Sequence, residues 1–355
     1  MNKIRILYDY QAMVMQRYGG ISRYYYELLT HINKTDEATA DAFCVRNNNA
    51  YFKNYFNGVI KTPLRGIGFV NRMFIRGKIK NYDIIHPTYY NPYLIKRKNG
   101  KLVITVYDMI HELFADMFPK DDKTAQYKKR LIYAADHIIA ISESTKKDIL
   151  KLYSDIPENK ISVIYLASNM SGNDNKITLP ERFILFVGNR GGYKNFIPFL
   201  RSVKPIIEKD AGLYLVCIGG GAFSEEEKTL ISNISGRIIQ KNVFDAELAY
   251  AYSQAICFVF PSLYEGFGIP TLEAFGCNCP VVLSNISSMP EVGGDAAVYF
   301  DPTDEEDMHN KILQVVYNER LRNEMIEKGR KQLSKFSWDN TAAQTIKCYK
   351  KVLGR

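Results

Sequence analysis

Two carboxylates eight residues apart frame a glycine loop in Pro261-Ser-Leu-Tyr-Glu265-Gly-Phe-Gly-Ile-Pro270-Thr-Leu-Glu273-Ala-Phe-Gly276. An apolar run precedes the loop formed by Gly266 and Gly268, and Pro270 suits a first helical position, so strand, loop and helix start follow in order. The unpaired N–H groups and dipole of such a helix start hold a diphosphate. Glu273, three residues after Pro270, falls in the first turn on this reading, where a carboxylate can accept hydrogen bonds from ribose hydroxyls. Glu265 lies in the loop, near where a sugar carried by the same nucleotide would sit. The plainer alternative for Glu273 is a carboxylate that only stabilises its own helix start.

A second loop, Phe186-Val187-Gly188-Asn189-Arg190-Gly191-Gly192-Tyr193-Lys194-Asn195, carries two cations between an apolar run and a helix. Fixed Arg and Lys side chains stabilise the charge that builds on a departing diphosphate without Mg²⁺, which singles out Arg190 and Lys194. A solvated loop with ordinary surface charges is the alternative. Leu215-Val-Cys-Ile218-Gly219-Gly220-Gly221 is another strand followed by glycines, but its surroundings lack the rest of a dinucleotide-binding fingerprint. Tyr18-Gly19-Gly20-Ile21-Ser22-Arg23 leads a strand-to-helix loop into a helix start, or is simply a turn.

Elements able to present these loops are legible as an alternation of short apolar runs with helical spacing, the signature of parallel sheets covered by helices. Strands are predicted at Ile4 to Tyr8, Ala42 to Val45, Asp83 to His86, Leu102 to Val106, His137 to Ile141 and Ile161 to Ile164, and helices at Gly20 to Ile32, Lys123 to Ala134 and Glu143 to Tyr153. The polar, turn-rich stretch from Leu166 to Lys176 reads as a linker. The pattern then restarts with strands at Phe183 to Val187, Tyr214 to Ile218, Arg237 to Ile239, Ile256 to Phe260, Val281 to Leu283 and Val298 to Phe300. Amphipathic helices at Glu305 to Tyr317, Glu319 to Gln332 and Trp338 to Leu353 end the chain. The expected fold is therefore α/β, with Rossmann-like domains at 1–166 and 177–337 and a terminal helix, 338–355, able to cross back onto the first.

The glutamate pair, with its continuation Pro280-Val-Val-Leu-Ser-Asn-Ile-Ser-Ser-Met-Pro-Glu291-Val-Gly-Gly-Asp-Ala-Ala, resembles the retaining glycosyltransferases of family 4. The likeness covers essentially the whole chain, strongly from about residue 137. It implies the GT-B architecture, two Rossmann-like domains whose parallel sheets face a central cleft, with the donor held mainly by the second. By this resemblance Glu273 holds the ribose and Glu265 the donor sugar, while the backbone around Phe267, Gly268 and Ile269 meets sugar and phosphate, with Gly266, Pro270 and Thr271 in the same donor-binding stretch. Arg190 and Lys194 bind the diphosphate. Gly219 and Gly220 line the nucleotide, and Gly19 and Gly20 let backbone approach donor phosphate or acceptor.

Thr105-Val106-Tyr107-Asp108-Met-Ile-His111-Glu112 falls where many relatives carry His-Asp at a strand end. Asp108 matches, but Tyr107 replaces the histidine, and His111 either substitutes from the next turn or is structural. Asp108 orients or deprotonates an acceptor hydroxyl, or caps a turn. His86, before Pro87, is a further candidate at the cleft edge. The Tyr107 to Ile110 stretch resembles bacterial mannosyltransferase-like members that build surface polysaccharide, which implies GDP-mannose as donor and a saccharide or lipid-linked saccharide as acceptor. No cofactor is implied beyond the nucleotide-diphosphate sugar as co-substrate, and no Asp-x-Asp metal motif occurs. A nucleotide-sugar epimerase on the same fold and a non-catalytic cleft-type sugar-binding protein are the rival readings.

A length of 355 residues suits two domains, and no stretch is both long and apolar enough to span a bilayer. The first seven residues run into an apolar strand without a signal-peptide core, which predicts a cytoplasmic protein. The six cysteines read as buried reduced thiols, and the five histidines do not cluster with them as metal ligands would. Residues 1 to 170 hold 26 Lys and Arg against 16 Asp and Glu, whereas the remainder holds 21 against 22. Such a basic first half faces an anionic partner, a phosphorylated lipid or the inner membrane face, or is a solvated surface. Arg65 to Lys80 adds Phe69, Met73 and Phe74 to Arg72, Arg76 and Lys78, which suits a surface helix on anionic lipid or one covering the first sheet. The cations are too dispersed for nucleic-acid binding.

Overall fold

The computed structural model describes residues 3–45, 49–53, 67–97, 99–172 and 175–355. Arg65 and Gly66, and Asn173 and Asp174 of the expected linker, lie outside them. The chain forms two compact units, Met1–Leu166 with Trp338–Arg355, and Ala167–Ser337.

In the first unit six parallel strands, β1 (Ile4–Tyr8), β2 (Ala38–Ala42), β3 (Ile84–His86), β4 (Lys101–Val106), β5 (His137–Ala140) and β6 (Ile161–Val163), order as β2-β1-β3-β4-β5-β6. The order reverses at β1, so the loops after β1 and β3 diverge there and open the crevice in which such sheets bind ligands. β2 lies four residues earlier than the apolar run suggests. Its sequence Ala-Thr-Ala-Asp-Ala alternates small buried residues with less buried ones and pairs in register from Ile4 with Ala38 to Tyr8 with Ala42. An edge strand paired on one side only tolerates alanine's weak strand preference. The Ser142 hydroxyl caps the Glu143–Leu152 helix by accepting from the Thr145 N–H at 2.9 Å.

The Trp338–Leu353 helix belongs to this unit. Trp338 packs against Tyr24 of the Gly20–Ile32 helix, the Thr341 hydroxyl donates to the Tyr165 carbonyl at 2.7 Å, and the Tyr349 hydroxyl lies 3.0 Å from that of Tyr8.

In the second unit β7 (Phe183–Val187), β8 (Tyr214–Ile218), β9 (Ile238–Lys241), β10 (Cys257–Phe260), β11 (Val281–Ser284) and β12 (Ala297–Phe300) are parallel in the order β12-β11-β10-β7-β8-β9. Central β7 and β10 read Phe-Ile-Leu-Phe-Val and Cys-Phe-Val-Phe, apolar throughout, as strands covered on both faces must be. Phe186, Phe196 and Phe199 cluster beneath the Phe196–Lys209 helix. Strand order reverses between β7 and β10, and the two loops with candidate chemistry leave the C-terminal ends of those two strands. None of the six cysteines is in a disulfide; five are buried and Cys44 is partly exposed.

Candidate functional site

Because β7 and β10 are parallel neighbours, residues 188–195 and 261–268 emerge side by side. The Lys194 ammonium donates to Glu265 Oε1 at 2.6 Å, and the Ser262 hydroxyl donates to the same oxygen at 2.7 Å. The loop backbone is pinned around the carboxylate. The Glu265 N–H donates to the Ser287 hydroxyl at 3.0 Å, the Ser288 hydroxyl donates to the Glu265 carbonyl at 2.8 Å, and the Leu263 N–H donates to the Tyr193 carbonyl at 2.7 Å. Lys194 also lies over the Phe260 ring.

Gly268 turns the chain into the Ile269–Gly276 helix at φ +97°, and a Cβ there would approach Met289 Cε to 2.4 Å, so only glycine fits without a shift. Phe267 is buried against Phe336, Gly266 is buried beside it, and Ile269 and Pro270 start the helix. The Thr271 hydroxyl is buried with no hydrogen-bond partner among the described residues. Glu273 is the fifth residue of the helix, one residue deeper than its spacing from Pro270 suggests, because the helix opens at Ile269. It is 8 % exposed, and its charge adds to the burial that raises the Tyr252 hydroxyl's pKa.

Arg190 departs from expectation. Its Nε donates to Glu227 Oε1 at 2.8 Å, Nη1 to the Gly219 carbonyl at 3.0 Å, and Nη2 to the carbonyls of Gly221 at 3.0 Å and Ala222 at 2.7 Å. Four of its five N–H groups are thus committed to its own unit, and the buried guanidinium lies over the Phe223 ring. Lys194 is left as the cation of this loop beside the Glu265 carboxylate. Gly219 and Gly220 both have left-handed backbones, at φ +90° and +72°, and a Cβ on Gly220 would come within 2.7 Å of Arg190 Nη1.

In the first unit His86 is a correction. It is fully buried, its Nδ1 2.7 Å from the Tyr349 hydroxyl and its Nε2 3.0 Å from that of Thr105, and burial pushes its pKa down to about 3. A neutral ring inside the core replaces the expected cleft-edge group. Tyr107 is likewise buried, its hydroxyl donating to the Thr88 carbonyl at 3.1 Å. Asp108 follows β4 and accepts from the Ile110 N–H at 3.1 Å, a turn-capping contact. His111 stacks on Phe118, and burial foremost lowers its pKa. Gly19 precedes the Gly20–Ile32 helix in extended backbone, where a Cβ would collide with Gln16.

The profile described as Glycosyl transferases group 1 matches residues 171–332, and that of Glycosyltransferase Family 4 matches residues 18–169. This chain belongs to the family 4 glycosyltransferases. The transferase is 29 % identical over 293 residues to O-antigen chain mannosyltransferase B of Escherichia coli, a match covering 76 % of this chain and 74 % of the relative. It is 28 % identical over 265 residues to O-antigen chain mannosyltransferase RfbU of Salmonella typhimurium, covering 74 % and 72 %. The solved sucrose-phosphate synthase of Thermosynechococcus elongatus superposes with a TM-score of 0.77 at 18 % identity, covering 99 % of this chain and 100 % of that one. Two doubly wound six-stranded units make the transferase's fold GT-B.

The transferase also holds groups that its sequence did not single out. Lys128 is 0 % exposed, yet its ammonium donates to Glu112 Oε2 at 2.8 Å and to the Asp108 carbonyl at 2.7 Å, beneath the Tyr90 ring. Asp9, after β1, is buried and accepts from the Thr88 N–H at 2.8 Å, the Thr88 hydroxyl at 2.7 Å and Gln11 Nε2 at 2.7 Å. Burial raises its pKa. Asp9 stands at the reversal of the first sheet, which topology would have flagged, whereas nothing near Lys128 in sequence announces a buried cation. Among the described residues no group of three His, Cys, Asp or Glu side chains is placed to hold a metal ion.

Proposed function

We propose that this glycosyltransferase moves a mannosyl group from a nucleotide-diphosphate sugar, GDP-mannose, to a saccharide or lipid-linked saccharide in the synthesis of a bacterial surface polysaccharide. The configuration at the anomeric carbon is retained and no metal or other cofactor is required. The contact between Lys194 and Glu265 at the reversal of the second sheet carries the reading, because it sets a cation for a leaving diphosphate beside a carboxylate for sugar hydroxyls. The names of the curated relatives supply the sugar and the kind of product.

In the reaction the bond from the anomeric carbon to the diphosphate oxygen breaks. The acceptor oxygen bonds to the same face of that carbon, and the acceptor's proton passes to a diphosphate oxygen. Lys194 and the helix start at Ile269 and Pro270 stabilise the leaving charge. Glu273 holds the ribose, Glu265 orients the sugar, and Asp108 orients the acceptor hydroxyl. The test is a thermal-shift panel of nucleotide sugars. GDP-mannose at a hundred times its dissociation constant should add about 2.7 kcal/mol of stability. Stabilisation by UDP sugars alone would reject the donor, and stabilisation by none would reject the donor site.

The first unit is proposed to touch an anionic membrane face. Supporting this, Phe69, Met73 and Phe74 are exposed on the Ile67–Lys78 helix, and a cavity of about 370 Å³ beside its end is lined by Arg76, Lys80 and Lys96 with no acid. Among the described residues no helix is long and apolar enough to cross a membrane. Sedimentation with phosphatidylglycerol vesicles should pull the protein down, and Phe69→Ser with Phe74→Ser should release it. Equal recovery with neutral phosphatidylcholine vesicles would contradict the anionic preference.

A further inference from the structure

Arg190 sits beside the loop that follows β8, and its contacts give that loop its shape. The carbonyls of Gly219, Gly221 and Ala222 all accept from one guanidinium, while Gly219, Gly220 and Gly221 run in succession through left-handed backbone at φ +90°, +72° and +70°. Every peptide bond described is trans, and across a planar trans peptide the C=O of one residue and the N–H of the next point in opposite directions. Carbonyls drawn in toward Arg190 therefore send the N–H groups of Gly220, Ala222 and Phe223 outward. Among the described residues no acceptor takes any of these three.

The guanidinium is itself held. Rings of Phe223 and Phe196 lie 4.6 Å and 5.5 Å from it, and Glu227 receives its Nε. The other Glu227 oxygen accepts from the Ser224 N–H at 2.7 Å, closing a capping box at the next helix.

From this geometry we infer that Arg190 is a positioning residue, which shapes residues 219–223 so that three outward amides receive the phosphoryl oxygens of a nucleoside diphosphate. The inference rests on the donor-site reading of the second unit. A planar fork that spans three carbonyls and a carboxylate cannot be replaced by an ammonium, a point charge with three donors on a flexible stem.

The test uses Arg190→Met combined with Glu227→Gln, which removes both charges and keeps an acceptor for the Ser224 N–H, alongside Arg190→Lys and Glu273→Ala. Each is titrated calorimetrically with GDP and with guanosine and assayed for donor KM and kcat. The double variant should melt close to wild type and bind GDP at least tenfold more weakly, the loss expected when the amide hydrogen bonds lose their alignment. Its donor KM should rise while kcat at saturation holds, and Arg190→Lys should fail to restore GDP binding. Two results would overturn the inference. One is unchanged GDP affinity in the double variant. The other is an Arg190→Lys protein that binds GDP as wild type does, because a bare charge would then suffice and the cation would act on the phosphates directly. Should the double variant not fold, Arg190→Lys alone decides. If Glu273→Ala also binds GDP normally, the donor-site reading falls and takes the inference with it. If Glu273→Ala loses GDP while the double variant keeps it, only the role of Arg190 is wrong.

Discussion

Lys194 does two things with one charge. In the structure it neutralises Glu265, and in the proposed reaction it meets the leaving diphosphate, where a preorganised cation in a half-buried site is worth far more than in water. Lys194→Ala should therefore lower kcat about 10²-fold to 10³-fold, the range seen when one electrostatic stabiliser is removed, with fold and melting temperature nearly unchanged. A steady-state assay in which only KM moves would show that Lys194 binds donor without acting on its departure. Gly268→Ala should destabilise the second unit by about 1–3 kcal/mol, since φ +97° is strained for any residue with a Cβ, and urea unfolding would read it. Lys194, Glu265 and Glu273 stand out in the sequence because each lies within a few residues of a glycine turn, and the structure brings the first two into contact. The work of Arg190 was not, because Glu227 and the three carbonyls it binds come from the next strand's loop, 29 to 37 residues on. His86 misled for a related reason. A histidine at a strand end looks the same in sequence whether it faces solvent or, as here, Tyr349 from the far end of the chain.

The Trp338–Leu353 helix gives the first unit part of its interior from residues that follow the whole second unit. Trp338 is buried against Tyr24, and Tyr349 bridges the Tyr8 hydroxyl and the His86 ring. Trp338→Ala should destabilise the first unit by about 3–5 kcal/mol, as for other large core truncations, leaving nucleotide binding by the second unit in place. Loss of near-ultraviolet signal together with loss of nucleotide binding would mean that the two units do not unfold separately. This helix was readable in full from its spacing. β2 was not, because Ala38, Ala40 and Ala42 carry too little apolar surface to mark a strand, whereas the neighbouring Phe43-Cys44-Val45 carries more and forms none. The central strands of both sheets, buried on two faces, left no such ambiguity.

Across the whole molecule, acid should weaken the fold before it touches the chemistry. The unfolded chain protonates a histidine near 6.5, but burial holds His86 at about 3 and His137 at about 4 in the folded protein. Between about pH 6.5 and 3 the unfolded state therefore binds more protons, and stability falls as pH falls. His86→Gln should start less stable at neutral pH and lose less on acidification, as urea midpoints across that range would show. An unchanged slope would place the acid sensitivity elsewhere. The excess of positive charge in the first half should make vesicle binding fall steeply with added salt. The most direct test of the donor site is a calorimetric titration of GDP-mannose into wild-type protein and into Glu273→Ala. Saturable binding by the wild type at one site per chain, weakened at least tenfold by the substitution, is the result expected from a carboxylate that holds the ribose. Equal affinity in the two proteins would contradict it.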